Sequence, residues 1–365
     1  MMTGFYIHIP FCIKKCGYCD FYSGTDFSYA EEYTNAVIRE IKDFYDENDK
    51  IISDTVYFGG GTPTAIPSEF IGKILSEIKV TDDAEITIEA NPKTFDGLKA
   101  HKYKEFGINR VSMGLQSANY NELELLGRIH NFNEFLNSYE ILRKTGFNNI
   151  NVDIMYGLPY STEEKLSKTL AELKKLSCEH ISAYALTLSE NTPIYGKNYE
   201  YPTDDEVFLQ YMLVNKALAN YDHYEISNYA KIPARHNLKY WTNKPYIGFG
   251  AGAHSYFGNE RWENISDVKE YIENNKNSER RKRVNLQIIN NDTEYFEYIM
   301  LSLRLKSGID LKYIKSKFSI DFLEKYKSEI YKNIEYGYLI LENDRISLTE
   351  KGFFVSNLII SIFFD

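Results

Sequence analysis

Along the first two-thirds of the chain, short apolar runs alternate with amphipathic stretches. The strand-like runs are 6–9, 55–58, 85–90, 110–115, 151–156 and 180–187. Between them, 29–48 sets Tyr33, Val37, Ile41 and Phe44 on one helical face, and 68–78, 95–106, 134–144 and 163–176 repeat that periodicity. Strand–helix alternation predicts an α/β fold, a parallel sheet covered by helices. Six such units fall short of the eight that close a full barrel, so the expected form is an open, partial (β/α)6 barrel. Gly59, Gly60, Gly61, Glu89, Gln116, Asp153 and a cluster of cysteines lie at or near the C-terminal ends of successive strand runs, where barrel sites collect.

After about residue 225 the pattern changes. Residues 234–257 are rich in Gly, aromatics and His, and 274–283 is a polar stretch that reads as a surface loop. Helical pattern returns at 312–318 and 322–336, and 339–349 reads as a hairpin turning at Asn343-Asp344. The order is that of a smaller α+β, winged-helix-like domain. The expected division is 1–233 for the partial barrel, 234–290 for a junction and 291–365 for the C-terminal domain.

The 365 residues carry 42 Lys plus Arg against 52 Asp plus Glu, a net charge of −10. Residues 292–365 hold 10 basic and 12 acidic side chains, so the winged-helix-like part lacks the basic face that nucleic acid requires. No basic-then-apolar leader opens the chain, and no apolar run approaches the ~20 residues of a membrane span. The expected location is cytoplasmic.

Three of the four cysteines fall in Cys12-x3-Cys16-x2-Cys19. A structural zinc site wants four ligands, and the remaining Cys178 lies 159 positions beyond Cys19. Three thiolates suit a [4Fe–4S] cluster that leaves one iron open. Other positions have chemistry of their own. Arg128 offers a planar fork for a carboxylate. Asp153 sits inside an apolar strand and needs donors. His236, Tyr240 and Trp241 put an imidazole beside flat rings.

The spacing C-x3-C-x2-C after a first strand, with Tyr18 before the last Cys, resembles the radical S-adenosylmethionine superfamily. FYIHIPFC, YFGGGTPT, TIEANP, RVSMGLQS, LLGRIH, NVDIMYGLP, HNLKYW and GFGAGAHSY occur in one order. That series is similar to the oxygen-independent coproporphyrinogen III oxidase-like family and, within it, to the HemW-type haem chaperone branch. The resemblance implies a [4Fe–4S] cluster on Cys12, Cys16 and Cys19, whose open iron binds S-adenosylmethionine and whose electron releases a 5′-deoxyadenosyl radical. It implies contacts to that ligand from Tyr6, Gly60, Gly61, Thr62, Glu89, Gln116, Arg128 and Asp153. It implies haem at His236, Tyr240 and Trp241, with His254 in the next Gly-rich loop, and delivery of haem to haemoproteins such as respiratory enzymes. Peripheral membrane association and a homodimer are open on this reading. The basic cluster at 276–283 reads as a solvated loop, with haem propionates or lipid headgroups as the alternative.

The sequence departs from the oxidases at two points. Phe21 stands where they carry a further cysteine, and only eleven residues precede Cys12. Both favour the chaperone over the alternative, radical oxidative decarboxylation of coproporphyrinogen III to protoporphyrinogen IX.

Overall fold

The structure is a computed structural model that describes residues 2–276 and 283–364. Six parallel strands form its centre: β1 (Met2–Ile9), β2 (Ile52–Gly60), β3 (Val80–Ala90), β4 (Arg110–Gln116), β5 (Ile150–Tyr156) and β6 (His180–Ala185). The connecting helices are α1 (Ala30–Glu47), α2 (Ser68–Leu75), α3 (Gly97–Glu105), α4 (Tyr120–Leu125), α5 (Phe132–Lys144) and α6 (Glu163–Leu176). These are the expected units, with α4 a short addition. Asn131 and Glu134 form a reciprocal cap that starts α5 two residues before its expected beginning.

Alternation along each strand separates two environments. Phe5, Ile7 and Ile9, Val56 and Phe58, Ile86 and Ile88, and Val111, Met113 and Leu115 join the buried core. The intervening Tyr57, Glu89, Arg110, Ser112 and Asp153 line a polar cavity on the sheet's other face.

The sheet is larger than its sequence pattern suggested. It runs β12-β11-β10-β9-β1-β2-β3-β4-β5-β6-β8-β7. After α7 (Asp204–Ala217), β7 (Asp222–Glu225) and β8 (Asn228–Ala230) extend the β6 edge antiparallel. Following α8 (Arg235–Trp241), β9 (Tyr246–Phe249) pairs parallel with β1. Antiparallel β10 (His254–Phe257), β11 (Glu260–Asn264) and, beyond α9 (Val268–Asn274), β12 (Arg283–Ile288) continue from β9. The end strands β12 and β7 do not pair, so the barrel is partial and open. The segment 234–290, expected as a junction, therefore contributes four strands to the barrel sheet. Its strands are only four to six residues long and contain Gly and charged residues, too short for alternation to register. The basic cluster expected at 276–283 lies mostly in 277–282, outside the described residues.

The HNLKYW motif lies in helix α8. Its start is capped from far away: the Glu85 carboxylate accepts from the backbone N–H of Arg235 at 3.1 Å and of His236 at 3.0 Å. A cap supplied 150 positions upstream leaves no local signal.

The C-terminal part comprises α10 (Asn291–Ser302), β13 (Ile309–Asp310), α11 (Leu311–Phe318), α12 (Phe322–Lys325), α13 (Lys327–Glu335), β14 (Leu339–Glu342), β15 (Arg345–Leu348), α14 (Glu350–Phe354) and α15 (Ser356–Ser361). Asn343 and Asp344, at φ 52° and 59°, make the two-residue turn expected between β14 and β15. The expected helix over 322–336 breaks at Tyr326. This part meets the barrel where the Ile226 N–H donates to the Arg304 carbonyl at 2.9 Å and the Phe208 and Phe354 rings pack at 5.1 Å.

Candidate cofactor-binding site

The C-terminal ends of β1–β6 open into a cavity of about 440 Å³. Cys12, Cys16 and Cys19 line it, all partly exposed to it on the loop after β1. Backbone contacts fix that loop. The Cys12 N–H donates to Gly24 at 2.8 Å, Gly17 to Leu126 at 2.9 Å and Thr62 to Phe11 at 2.8 Å. Burial raises the Cys12 thiol and pushes Cys19 up to about 11, so metal coordination is what would hold them as thiolates. Among the described residues no three His, Cys, Asp or Glu side chains converge on a single ion. A cubane asks for a different arrangement, one iron for each thiolate, and three cysteines spread along one cavity-facing loop fit it. Cys178 is buried elsewhere, its carbonyl accepting from Tyr221 at 2.8 Å.

A hydrogen-bonded clasp joins this loop to the strand ends. Thr62 Oγ1 lies 3.6 Å from Cys12 Sγ and accepts from Asn91 Nδ2 at 2.8 Å. The Asn91 carbonyl oxygen accepts from Arg128, which also donates to the Gly114 carbonyl at 3.1 Å and to Cys16 Sγ at 3.5 Å. Asn91 was not singled out from the sequence, although it stands two positions after Glu89 in TIEANP.

Gly60, Gly61, Thr62, Glu89, Gln116, Arg128 and Asp153 all line the cavity. The chain's own packing also requires these glycines. A Cβ on Gly60, at φ 108°, would sit 2.5 Å from the His8 ring, and one on Gly61 would sit 2.8 Å from the Phe11 carbonyl. Protein atoms already occupy that space, so the glycines let β2 pass under the cysteine loop. Glu89 accepts from the Tyr57 hydroxyl at 2.8 Å and the Gly60 N–H at 3.2 Å, and enclosure in the cavity pushes its carboxyl up to about 7. Asp153 accepts from Asn151 at 2.6 Å, and burial raises it too.

Two expected groups sit away from the cavity. Tyr6 does not line it. Its ring stacks on Tyr57 at 6.1 Å and its hydroxyl lies 3.1 Å from His8 Nδ1, so it backs the wall. His236, Tyr240 and Trp241 also miss the cavity lining, although Asn237 of the same helix reaches it. His236 is 1% exposed. Its Nδ1 lies 2.9 Å from Thr55 Oγ1, its Nε2 lies 2.8 Å from the Tyr240 hydroxyl, and its ring stacks on Tyr57 at 5.2 Å. Both ring nitrogens are committed, so in this arrangement His236 is a structural residue and offers no lone pair to iron.

The whole chain, not the cysteine loop alone, has close relatives. The Radical SAM superfamily profile matches residues 6–173 and the HemN C-terminal domain profile residues 289–355. Heme chaperone HemW of Buchnera aphidicola subsp. Schizaphis graminum is 37% identical over 373 residues, spanning 99% of this chain and 98% of that protein. This chain belongs to the HemW family. The Bacillus subtilis HemW is 32% identical, with 99% of each chain covered. Coproporphyrinogen III oxidase (HemN) from Escherichia coli shares the fold, with a TM-score of 0.87 at 20% identity over 99% of this chain and 90% of that one. Membership of this radical SAM family carries the [4Fe–4S] cluster and S-adenosylmethionine, and the cysteine loop and strand ends of this HemW-family chain fit both.

Proposed function

We propose that the chain is a haem chaperone: it binds haem and passes it to haemoproteins, respiratory enzymes among them, with a [4Fe–4S] cluster and S-adenosylmethionine as resident cofactors. The observation that carries this reading is end-to-end similarity, at 37% identity, to a protein named Heme chaperone HemW. Phe21 adds weight against the oxidase. It is 67% exposed at the cavity lining and supplies no thiolate where the oxidases have one.

When bound, the cluster supplies an electron to the sulfonium of S-adenosylmethionine. The chain's own residues position that ligand. Glu89 and Asp153 offer acceptors to its ammonium and ribose hydroxyls, Arg128 places positive charge near its carboxylate, and the Thr62–Asn91–Arg128 clasp keeps the strand ends against the cysteine loop.

For haem iron, His254 is the better-placed imidazole. Its side chain is 62% exposed on β10, and among the described residues Nε2 pairs only with Glu263, at 3.0 Å, which orients the ring and leaves Nδ1 for a metal. No helix among the described residues is long and apolar enough to cross a membrane.

The test is haem titration of anaerobically reconstituted protein. A Soret band that saturates at about one haem per chain is expected, with no conversion of coproporphyrinogen III. His254→Ala should weaken haem binding. Formation of protoporphyrinogen at enzymatic rates would replace the chaperone with an oxidase.

A further inference from the structure

Arg110 is the first residue of β4 and is 1% exposed, yet its side chain lines the same cavity as Gln116 at the strand's other end. Six positions along the strand separate the two, roughly 20 Å, so the cavity reaches down the depth of the barrel. Among the described residues the Arg110 guanidinium has no ion pair within 4.0 Å, and its Nε has no hydrogen-bond partner. The Thr87 hydroxyl, on the paired position of β3, is also buried and unpartnered.

No neighbour among the described residues bonds to the Arg110 guanidinium. Burial, and then Arg110 itself, holds His180 well below its usual range, and His236 is likewise kept neutral. His180 is committed on both nitrogens, to Asn151 at 2.6 Å and Tyr224 at 2.8 Å. Arg110 favours the ionised forms of Asp153 and Glu89 from a distance, but neither bonds to it: Asp153 accepts from Asn151, and Glu89 from Tyr57 and Gly60. A desolvated cation with no bonded counter-ion is costly, and proteins rarely keep one without a use. The contrast with Arg128, bonded to Asn91, Gly114 and Cys16, is direct.

We propose that the deep end of the cavity is a carboxylate-binding subsite with Arg110 as its receptor. A carboxylate on a second ligand, below the S-adenosylmethionine positions, docks on the guanidinium fork, the geometry such a fork fits best. The carboxylate belongs either to a free small acid or to the propionate arm of a tetrapyrrole. The second source rests on the haem reading above.

The test uses cluster-loaded protein saturated with S-adenosylmethionine, in wild-type, Arg110→Met and Arg110→Lys forms. Propionate, haem and haem dimethyl ester are titrated by calorimetry, and melting temperatures are recorded. Wild type should bind a carboxylate probe, and both variants should lose about tenfold or more of that affinity. Without ligand, Arg110→Met should melt no lower than wild type, because it removes a buried charge that has no bonded counter-ion. Discrimination of haem over its ester that vanishes in the variants identifies the tetrapyrrole arm, whereas free propionate binding without such discrimination identifies a small acid. Carboxylate affinity unchanged in Arg110→Lys, or absent from wild type with haem and ester bound equally, overturns the subsite and leaves the chaperone standing. Propionate binding by a wild type that takes no haem keeps the subsite and removes the chaperone. Weakened S-adenosylmethionine binding with carboxylate affinity intact would reduce Arg110 to a support for Asp153, and that also overturns it.

Discussion

Thr55 Oγ1 and His236 Nδ1 stand 2.9 Å apart although 181 positions separate them in the chain. The contact ties α8 to the barrel interior, and Tyr240 closes the other side of the imidazole at 2.8 Å. His236→Ala should therefore behave as a core mutation. It opens a void and strands two hydroxyls, a loss of about 2–4 kcal/mol in denaturant unfolding. Haem affinity should change only as far as stability does. A fully stable His236→Ala protein with a displaced Soret band would return the residue to the iron.

The cysteine loop makes a sharper set of expectations. Cys12→Ala, Cys16→Ala and Cys19→Ala should each lose the cluster, while Cys178→Ala should keep about four iron and four sulfide per chain. Asn91→Ala should leave the fold intact but loosen the clasp between Thr62 and Arg128, so that the cluster is lost faster in air. Iron content and the bleaching rate of the charge-transfer absorption decide both. Equal bleaching rates in Asn91→Ala and wild type would show that the clasp does not protect the cluster.

Local pattern made the six central strands and their helices legible, because each strand is long enough to alternate and each helix has an apolar face. The cavity residues were legible for a related reason: Glu89, Gln116 and Asp153 interrupt apolar strands with polar groups that a plain core would not tolerate. Three things were hidden. The flanking strands β7–β12 are short, and the two that join them to the centre, β8 and β9, pair with β6 and β1 far away in the sequence. Helix α8 depends on Glu85 for its cap. The burial of His236 depends on Thr55 and Tyr57, which share no local pattern with it. Arg110 read as one more residue of a strand, and only the enclosed cavity reveals that, among the described residues, its charge has no bonded counter-ion.

Asp153→Asn and Arg128→Ala should separate two roles in S-adenosylmethionine binding. Asp153→Asn keeps the shape but loses the anionic acceptor, so affinity should fall about tenfold with iron content unchanged. Arg128→Ala removes a guanidinium that also touches Cys16 Sγ at 3.5 Å, so both ligand affinity and cluster retention should fall. Calorimetry on reconstituted protein, with iron analysis of the same samples, distinguishes them. Normal cluster retention in Arg128→Ala would confine that residue to the ligand.

The carboxyl of Glu89 should make stability and ligand binding respond to pH in opposite directions. Enclosure raises it from 4.5 to about 7, despite hydrogen bonds from Tyr57 and Gly60 that favour the ionised form. Between those values the folded chain holds a proton that the unfolded chain has released. The number of protons bound is then smaller in the unfolded state, and unfolding free energy falls as pH rises. The contribution is fully present below about 4.5 and lost once pH passes about 7. Glu225, buried and also raised to about 7, adds a slope of the same sign. Glu89→Gln should therefore flatten part of the decline in stability between those limits and leave the Glu225 part. S-adenosylmethionine carries ammonium and sulfonium cations, which favour the ionised carboxylate, so its affinity should rise with pH through neutrality. In Glu89→Gln that rise should disappear. The measurements are urea unfolding of the ligand-free chain at several pH values, and calorimetry of S-adenosylmethionine on cluster-loaded protein over the neutral range. An affinity that climbs with pH equally in wild type and Glu89→Gln would assign the titration to another group.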